Sequence, residues 1–164
     1  MNRSPETRQR RQEMAQLSLC IFPDAVLQEQ CAPVEHFDST LRDLLADMLV
    51  LMRARRGIGL AGPQVGLRQR LFVAEIEGRS LCLVNPTLQL LPGEVAATEG
   101  CLSLPGVEVE VARSANIVAT GYDARGQKQQ HPVTGLWARV IQHETDHLNG
   151  TLIIDHGLPL SHTD

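Results

Sequence analysis

Aromatic residues are scarce in this chain of 164: three Phe, one Tyr and one Trp. Its core therefore has to be built from aliphatic side chains, and the apolar fraction of 43% supplies them. No apolar run approaches the ~20 residues that a bilayer-spanning helix needs. There is no surplus of Lys and Arg either; the formal net charge is −4. That excludes the basic field, and we find no motif, of a nucleic-acid binder. The four cysteines, at 20, 31, 82 and 101, form no C-x-x-C pair and suggest no disulfide framework. No repeat, low-complexity tract or linker composition interrupts the chain, and its length favours one domain.

The first 16 residues carry Arg3, Arg8, Arg10 and Arg11 together with Glu6 and Glu13. They lack the apolar stretch of a secretory signal, and a transit peptide would avoid the acidic residues. They read as a flexible leader, with a single folded domain over 17–164. Met14 opens the first apolar segment and offers an alternative start of translation. Without a signal peptide, a reducing cytoplasm is the expected setting. There Cys20, Cys31 and Cys82, each beside apolar neighbours, read as small buried hydrophobes.

Along the chain, Phe22-Pro23-Asp24 reads as a turn. Asp38 or Ser39 caps a helix whose stripe is Leu41, Leu44, Leu45, Met48, Leu49 and Met52. Arg53, Arg55 and Arg56 suit its C-terminus, and Gly57 is expected to stop it. Residues 57–66 read as a glycine-rich loop. Strands are expected at Leu71–Ile76 and Leu81–Val84 around a Glu77-Gly78 turn, with Asn85-Pro86 breaking the second. Val107, Val109 and Val111 alternate with Glu108 and Glu110, a half-buried strand. Asn116–Tyr122 is another, and Asp123–Gly126 turns it into Gln127–Val133. A second helix spans about Leu136–Leu148, with Leu136, Val140, Ile141, His143, His147 and Leu148 sharing much of one face. Asn149-Gly150 ends it before a short strand at Thr151–Ile154. Antiparallel strands with two segregated helices make an α+β domain.

That second helix contains His143-Glu144-Thr145-Asp146-His147, which matches H-E-x-x-H. Positions i and i+4 lie on one helix face, so two imidazoles can reach one metal while the adjacent Glu addresses its water. Composition alone would produce the pattern in roughly 0.5% of chains this long. A catalytic metal usually takes three protein ligands and keeps a position open. His156, His131 and Cys101 are the choices for the third. Cys101 sits in the shaped segment Glu99–Pro105, and a thiolate is a strong ligand for a soft or borderline divalent ion. A buried structural cysteine is the competing reading of that residue.

Three segments together resemble the peptide deformylase family: residues 57–64 (GIGLAGPQ), 99–103 (EGCLS) and 142–148 (QHETDHL). They occur in the family's order and approximate spacing. Pro23-Asp24, Pro33-Val34, Phe37-Asp38, Val65-Gly66, Asn85-Pro86 and the Ala138–Ile141 run agree as well, so the resemblance covers about residues 17–155. It implies an α+β fold with antiparallel strands packed around the helix carrying the motif. It also implies a hydrolase that removes the formyl group from the N-terminal formylmethionine of newly made proteins in a bacterial-type cytoplasm. The partners expected are N-formylmethionyl nascent chains, met at the ribosome, by a monomer that needs neither nucleic acid nor membrane.

By resemblance, Cys101, His143 and His147 are the metal ligands and Glu144 is the catalytic acid/base. Gln64 and the backbone N–H of Leu102 are the oxyanion donors. Gly59 offers a backbone contact to the substrate, and Ile58, Leu136, Val140 and the face of His143 form the methionine pocket. The usual ion is iron(II); zinc, nickel or cobalt can take its place. The metal lowers the pKa of its water towards ~7, so hydroxide is available to attack the formyl carbon. Glu144 moves the proton to the leaving amine. A Glu99–Arg113 pair is expected to fix the Cys101 segment, and Asp146 either supports the site or faces solvent. Two departures stand out: Gly62 replaces the family's usual alanine, which is expected to loosen the loop, and Glu108 stands where basic or aromatic residues are common. An H-E-x-x-H metallopeptidase is disfavoured by Cys101 and the 57–64 loop. A metal-stabilised binding module would need neither Glu144 nor Gln64.

Overall fold

The computed structural model describes residue 5 and residues 17–161. The remainder of the leader, with Met14, lies outside the described residues. In chain order the elements are α1 (Ser39–Ala54), β1 (Gly59–Ala61), β2 (Leu71–Ile76), β3 (Arg79–Leu90), β4 (Glu94–Cys101), β5 (Leu104–Ser114), β6 (Asn116–Tyr122), β7 (Lys128–Thr134) and α2 (Gly135–Leu148). The α+β expectation holds.

Helix α1 starts where Asp38 accepts a hydrogen bond from the Leu41 N–H at 3.0 Å. Its predicted stripe is buried at Leu41, Leu44, Leu45, Met48 and Met52, with Leu49 half-buried. It ends differently from expectation. The left-handed residue is Arg56 (φ 56°), and the Gly57 N–H then closes on the Met52 carbonyl at 2.9 Å. Glycine at 57 answers a packing need instead, because a β-carbon there would stand 2.6 Å from Leu102.

Five strands form an antiparallel sheet in the order β1-β2-β3-β6-β7. The continuous apolar run of β2 is explained by helices on both faces. Leu71 and Val73 join the core beneath α1, whereas Phe72 joins Ile117, Ala138, Ile141 and Leu148 of the core beneath α2. Each buried Leu, Val, Ile or Phe among these contributes about 1.5–3 kcal/mol. Asn85-Pro86 does not end its strand. β3 continues through a register shift between Val84 and Thr87, where Asn85 takes φ 51°. The Asn85 side chain accepts from the Val34 N–H at 2.8 Å and donates to the Val34 carbonyl at 3.0 Å, so the bulge is stitched to a neighbouring segment.

Within the predicted 57–66 loop, residues 59–61 form β1 on β2 and residues 62–65 form a 3-10 turn. Strands β4 and β5 make a separate hairpin. Its Leu104, Val109 and Val111 pack with Leu27, Leu152 and Ile153 in a third core. The last predicted strand is a 3-10 turn at Ile153–Asp155, because the Asp155 carboxylate accepts from the Leu152 N–H at 2.8 Å and closes the chain locally. Helix α2 is left in contact with the five-stranded sheet and with the hairpin.

Candidate metal centre

Cys101 is the last residue of β4 and pairs with Leu104 across a two-residue turn. Helix α2 presents His143 and His147 to it. One donor atom from each of Cys101, His143 and His147 lies within 4.8 Å of the other two. The Cys101 Sγ is 3.4 Å from His147 Nε2, and the two imidazoles meet edge to face with centroids 5.0 Å apart. The rival third residues are elsewhere: His131 lies on β7, and the His156 ring is 2.8 Å from Asp146.

The hydrogen-bond partners of His143 set its orientation. Its Nδ1 is 2.8 Å from Glu99 Oε1, which leaves Nε2 directed at the cluster. Glu99 is itself buried and held by a two-nitrogen grip from Arg113, at 2.7 and 2.9 Å. The expected Glu99–Arg113 pair is therefore present, and Arg113 also donates to Asp146 at 2.8 Å. Sequence reasoning missed two further contributors. Arg139 donates to Glu99 at 2.6 Å, and Gln142 ties α2 to β5 by bonding both the N–H and the carbonyl of Ser114. Their signal was position: both precede His143 on the motif helix, with Arg139 one turn earlier on the same face.

Gln64 is buried, with its two ends divided between tasks. Its carbonyl oxygen accepts from the Ala61 N–H at 2.9 Å, while its amide nitrogen lies 3.2 Å from Ser103 Oγ and 3.6 Å from Cys101 Sγ. A β-carbon at Gly62 would press on the Gln69 carbonyl at 2.6 Å, so the chain is tightly packed at that point. Backbone bonds from Cys20 to the Gln64 carbonyl and from Phe22 to the Ser103 carbonyl, at 2.7 and 2.8 Å, join this loop to the cysteine hairpin.

A cavity of about 590 Å³ opens over the cluster, bounded by Ile58, Gly59, Leu102, Leu136, Val140 and Glu144. Ile58 and Leu136 are exposed at its rim, and Glu108 also lines it. Glu144 Oε1 is 4.0 Å from His143 Nε2, and its other oxygen is buried without a hydrogen-bond partner among the described residues. Burial pushes the Glu144 carboxyl up to about 7 against the opposing pull of His143. Burial also opposes charge on His143, but the Cys101 and Glu99 contacts outweigh it and raise that imidazole to about 10. Burial holds His147 well below its ordinary value. For the protein groups alone, one imidazole is thus charged and its neighbour neutral.

The donor set fits a borderline divalent ion: one thiol sulfur and two imidazole nitrogens facing one point, with a buried carboxylate alongside. Such an ion is held by neutral imidazoles and a thiolate, so binding at these residues favours their deprotonated forms.

Comparison with known proteins agrees with this chemistry. The family model described as polypeptide deformylase matches residues 16–162. The chain belongs to the polypeptide deformylase family. A peptide deformylase of Dictyoglomus turgidum (strain DSM 6724 / Z-1310) is 41% identical over 135 residues, spanning 82% of this chain and 88% of that one. The crystal structure of the Thermotoga maritima peptide deformylase is similar with a TM-score of 0.85 and 40% identity, covering 87% of this chain and 98% of that one. A Synechococcus elongatus peptide deformylase in complex with actinonin gives 0.84 and 39%, covering 87% and 79%. Deformylases are metalloenzymes that act on formylmethionyl nascent chains. The three segments resembling the deformylase pattern all border the one cavity over the cluster.

Proposed function

We propose that Cys101, His143 and His147 hold one divalent metal and that Glu144 is the acid/base in removal of the formyl group from N-terminal formylmethionine. The hydrolysis itself is the activity of the family; the residue roles are our reading. The observation that carries them is the convergence of Cys101, His143, the buried Glu144 and the Gln64 amide on one cavity, with His147 Nε2 3.4 Å from the Cys101 sulfur.

When bound, the metal supplies a water of lowered pKa and a Lewis acid for the formyl oxygen. Glu144 takes a proton from the attacking water and gives it to the amine as the carbon–nitrogen bond breaks, so formate and a free amino terminus leave. The Gln64 amide and the Leu102 N–H donate to the developing oxyanion, each such donor typically contributing about 3–4 kcal/mol. Gly59 lets the substrate backbone approach. The methionine side chain rests on Ile58, Leu136, Val140 and the face of His143, which border the cavity. Burial of Glu144 suits its task, because a carboxyl near 7 both accepts and returns a proton at neutral pH.

Iron(II) is the ion we assign, with zinc, nickel or cobalt as substitutes; a ferrous–thiolate site is open to oxidation. We read residues 17–164 as one catalytic domain, behind a leader over 1–16. It acts as a monomer on nascent chains at the ribosome in the cytoplasm. Free thiols at all four cysteines and the lack, among the described residues, of a helix long and apolar enough to cross a membrane are compatible with that setting. The test is hydrolysis of formyl-Met peptides by protein loaded anaerobically with iron(II). Release of formate, with no cleavage of free-amine peptides, is expected. Preference for internal peptide bonds would overturn the reading in favour of a metallopeptidase.

A further inference from the structure

We propose that Arg139 is a positioning residue for the metal centre, clamping the helix that carries the histidines to the hairpin that carries the cysteine. The inference rests on the reading of Cys101, His143 and His147 as ligands. Those three donors come from two elements, α2 and the β4–β5 hairpin, so the docking of one on the other sets their separation. Apolar contacts are non-directional and do not fix it. Arg139 adds direction. It stands four residues before His143, on the same helix face. Its Nη1 donates to Glu99 Oε2 at 2.6 Å and to the Val111 carbonyl on β5 at 2.9 Å. Its Nη2 donates to the Val95 carbonyl on β4 at 2.6 Å. One planar guanidinium thus reaches both strands and the carboxylate between them, a span that a single ammonium cannot reproduce.

The oxygens of Glu99 show what the clamp controls. Oε2 receives Arg113 Nε and Arg139 Nη1; Oε1 receives Arg113 Nη2 and the Nδ1 side of His143. Arg113 belongs to the hairpin and grips from that side, whereas Arg139 grips from the helix. With both in place the carboxylate has one orientation, and through it so has the His143 ring. Two arginines thus stand against two carboxylates, Glu99 and Asp146.

Cobalt(II) titration of the full chain tests this at a temperature well below unfolding. Affinity is read by competition with a chelator, and ligation by the thiolate-to-cobalt absorption band. Arg139→Met, which keeps length but loses every donor, is expected to weaken cobalt binding by about 10–100-fold. Arg139→Lys, which keeps the Glu99 contact alone, is expected to recover part of that loss. Arg53→Ala, which breaks the pair between Arg53 on α1 and Glu75 on β2, serves as the control and is expected to bind cobalt as the parent does. Parent-like affinity in folded Arg139→Met overturns the proposal, as does equal weakening in Arg53→Ala. If Arg139→Met does not fold, parent-like affinity in Arg139→Lys overturns it. Absence of the thiolate band from the parent protein is a separate result and overturns the ligand reading itself.

Discussion

Gly59 and Glu144 are in contact across the cavity so closely that a β-carbon on the glycine would stand 2.3 Å from the carboxylate oxygen. Glycine is required at 59 by that approach and not by its backbone angles. The neighbour is the end of a side chain, so Gly59→Ala is expected to fold, but Glu144 is buried and moves only by leaving its place beside His143. Misplacing a catalytic group by about 1 Å costs on the order of 100-fold in rate. We expect kcat for formyl-Met peptides to fall by about that factor with metal content unchanged. Steady-state kinetics together with metal analysis check it; loss of the metal would show instead that the substitution disturbs the ligands.

Glu144 also carries a stability cost of known sign. Its carboxyl ionises near 4.5 in the unfolded chain and near 7 in the folded protein. Between those values the folded state holds the extra proton, so stability falls as pH rises from 4.5 to 7 and stays lowered above. The displacement corresponds to about 3 kcal/mol. Metal-free Glu144→Gln is therefore expected to melt higher than the metal-free parent at pH 8, and no higher at pH 4. The same variant, and Glu144→Ala, should lose about 10²–10⁴ in turnover while still binding metal. Thermal unfolding at the two pH values and a formate assay test both halves.

Much of the fold and site was legible because the relevant residues act locally. The stripe of α1, the strand Asn116–Tyr122 and the i, i+4 histidines are patterns of neighbours along the chain. What escaped depends on distant partners. Asn85-Pro86 reads as a breaker until Val34 is seen to satisfy the Asn85 amide across the bulge. Thr151–Ile154 has strand-like residues, yet Asp155 closes it into a turn. Gln64 is an oxyanion donor by resemblance, but its side chain also closes its own turn: oxygen to Ala61, nitrogen towards Cys101. Arg139 offered only its place on the motif helix, because its backbone partners lie 28 and 44 residues away.

If the three donors hold a metal, the metal must stabilise the fold as well as enable turnover. A ligand that binds only the folded state adds about 2.7 kcal/mol when its free concentration is 100 times Kd. Chelation is expected to abolish deformylation and lower Tm; added iron(II), under nitrogen, restores both. In Cys101→Ala the metal-dependent rise in Tm should shrink or vanish, whereas the metal-free Tm stays near that of the metal-free parent. Calorimetry with and without metal decides this. An unchanged metal response in that variant would remove Cys101 from the ligand set.

Arg113 and Glu99 form the most buried ion pair among the described residues, with side chains 5% and 6% exposed. Burial works against both charges, and the paired hydrogen bonds hold Glu99 ionised far below the ordinary carboxylate range. Removing one partner of such a pair usually costs about 3–5 kcal/mol, because the other charge stays buried. Arg113→Met should accordingly lower Tm by roughly 10 °C, at 2–4 °C per kcal/mol for a chain of this size. Arg139 still touches Glu99, which places the loss at the lower end of that range. Asp146 loses its Arg113 contact but keeps His156, so its partial exposure spares it a full penalty. The double variant Glu99→Gln, Arg113→Met removes both charges and should recover part of the stability. It should not recover metal affinity, since the amide introduced at position 99 no longer offers His143 a carboxylate. A double-mutant cycle read by both unfolding and metal titration separates the two roles: stability regained with affinity still weak is the expected pattern, and joint recovery would make Glu99 a structural residue only.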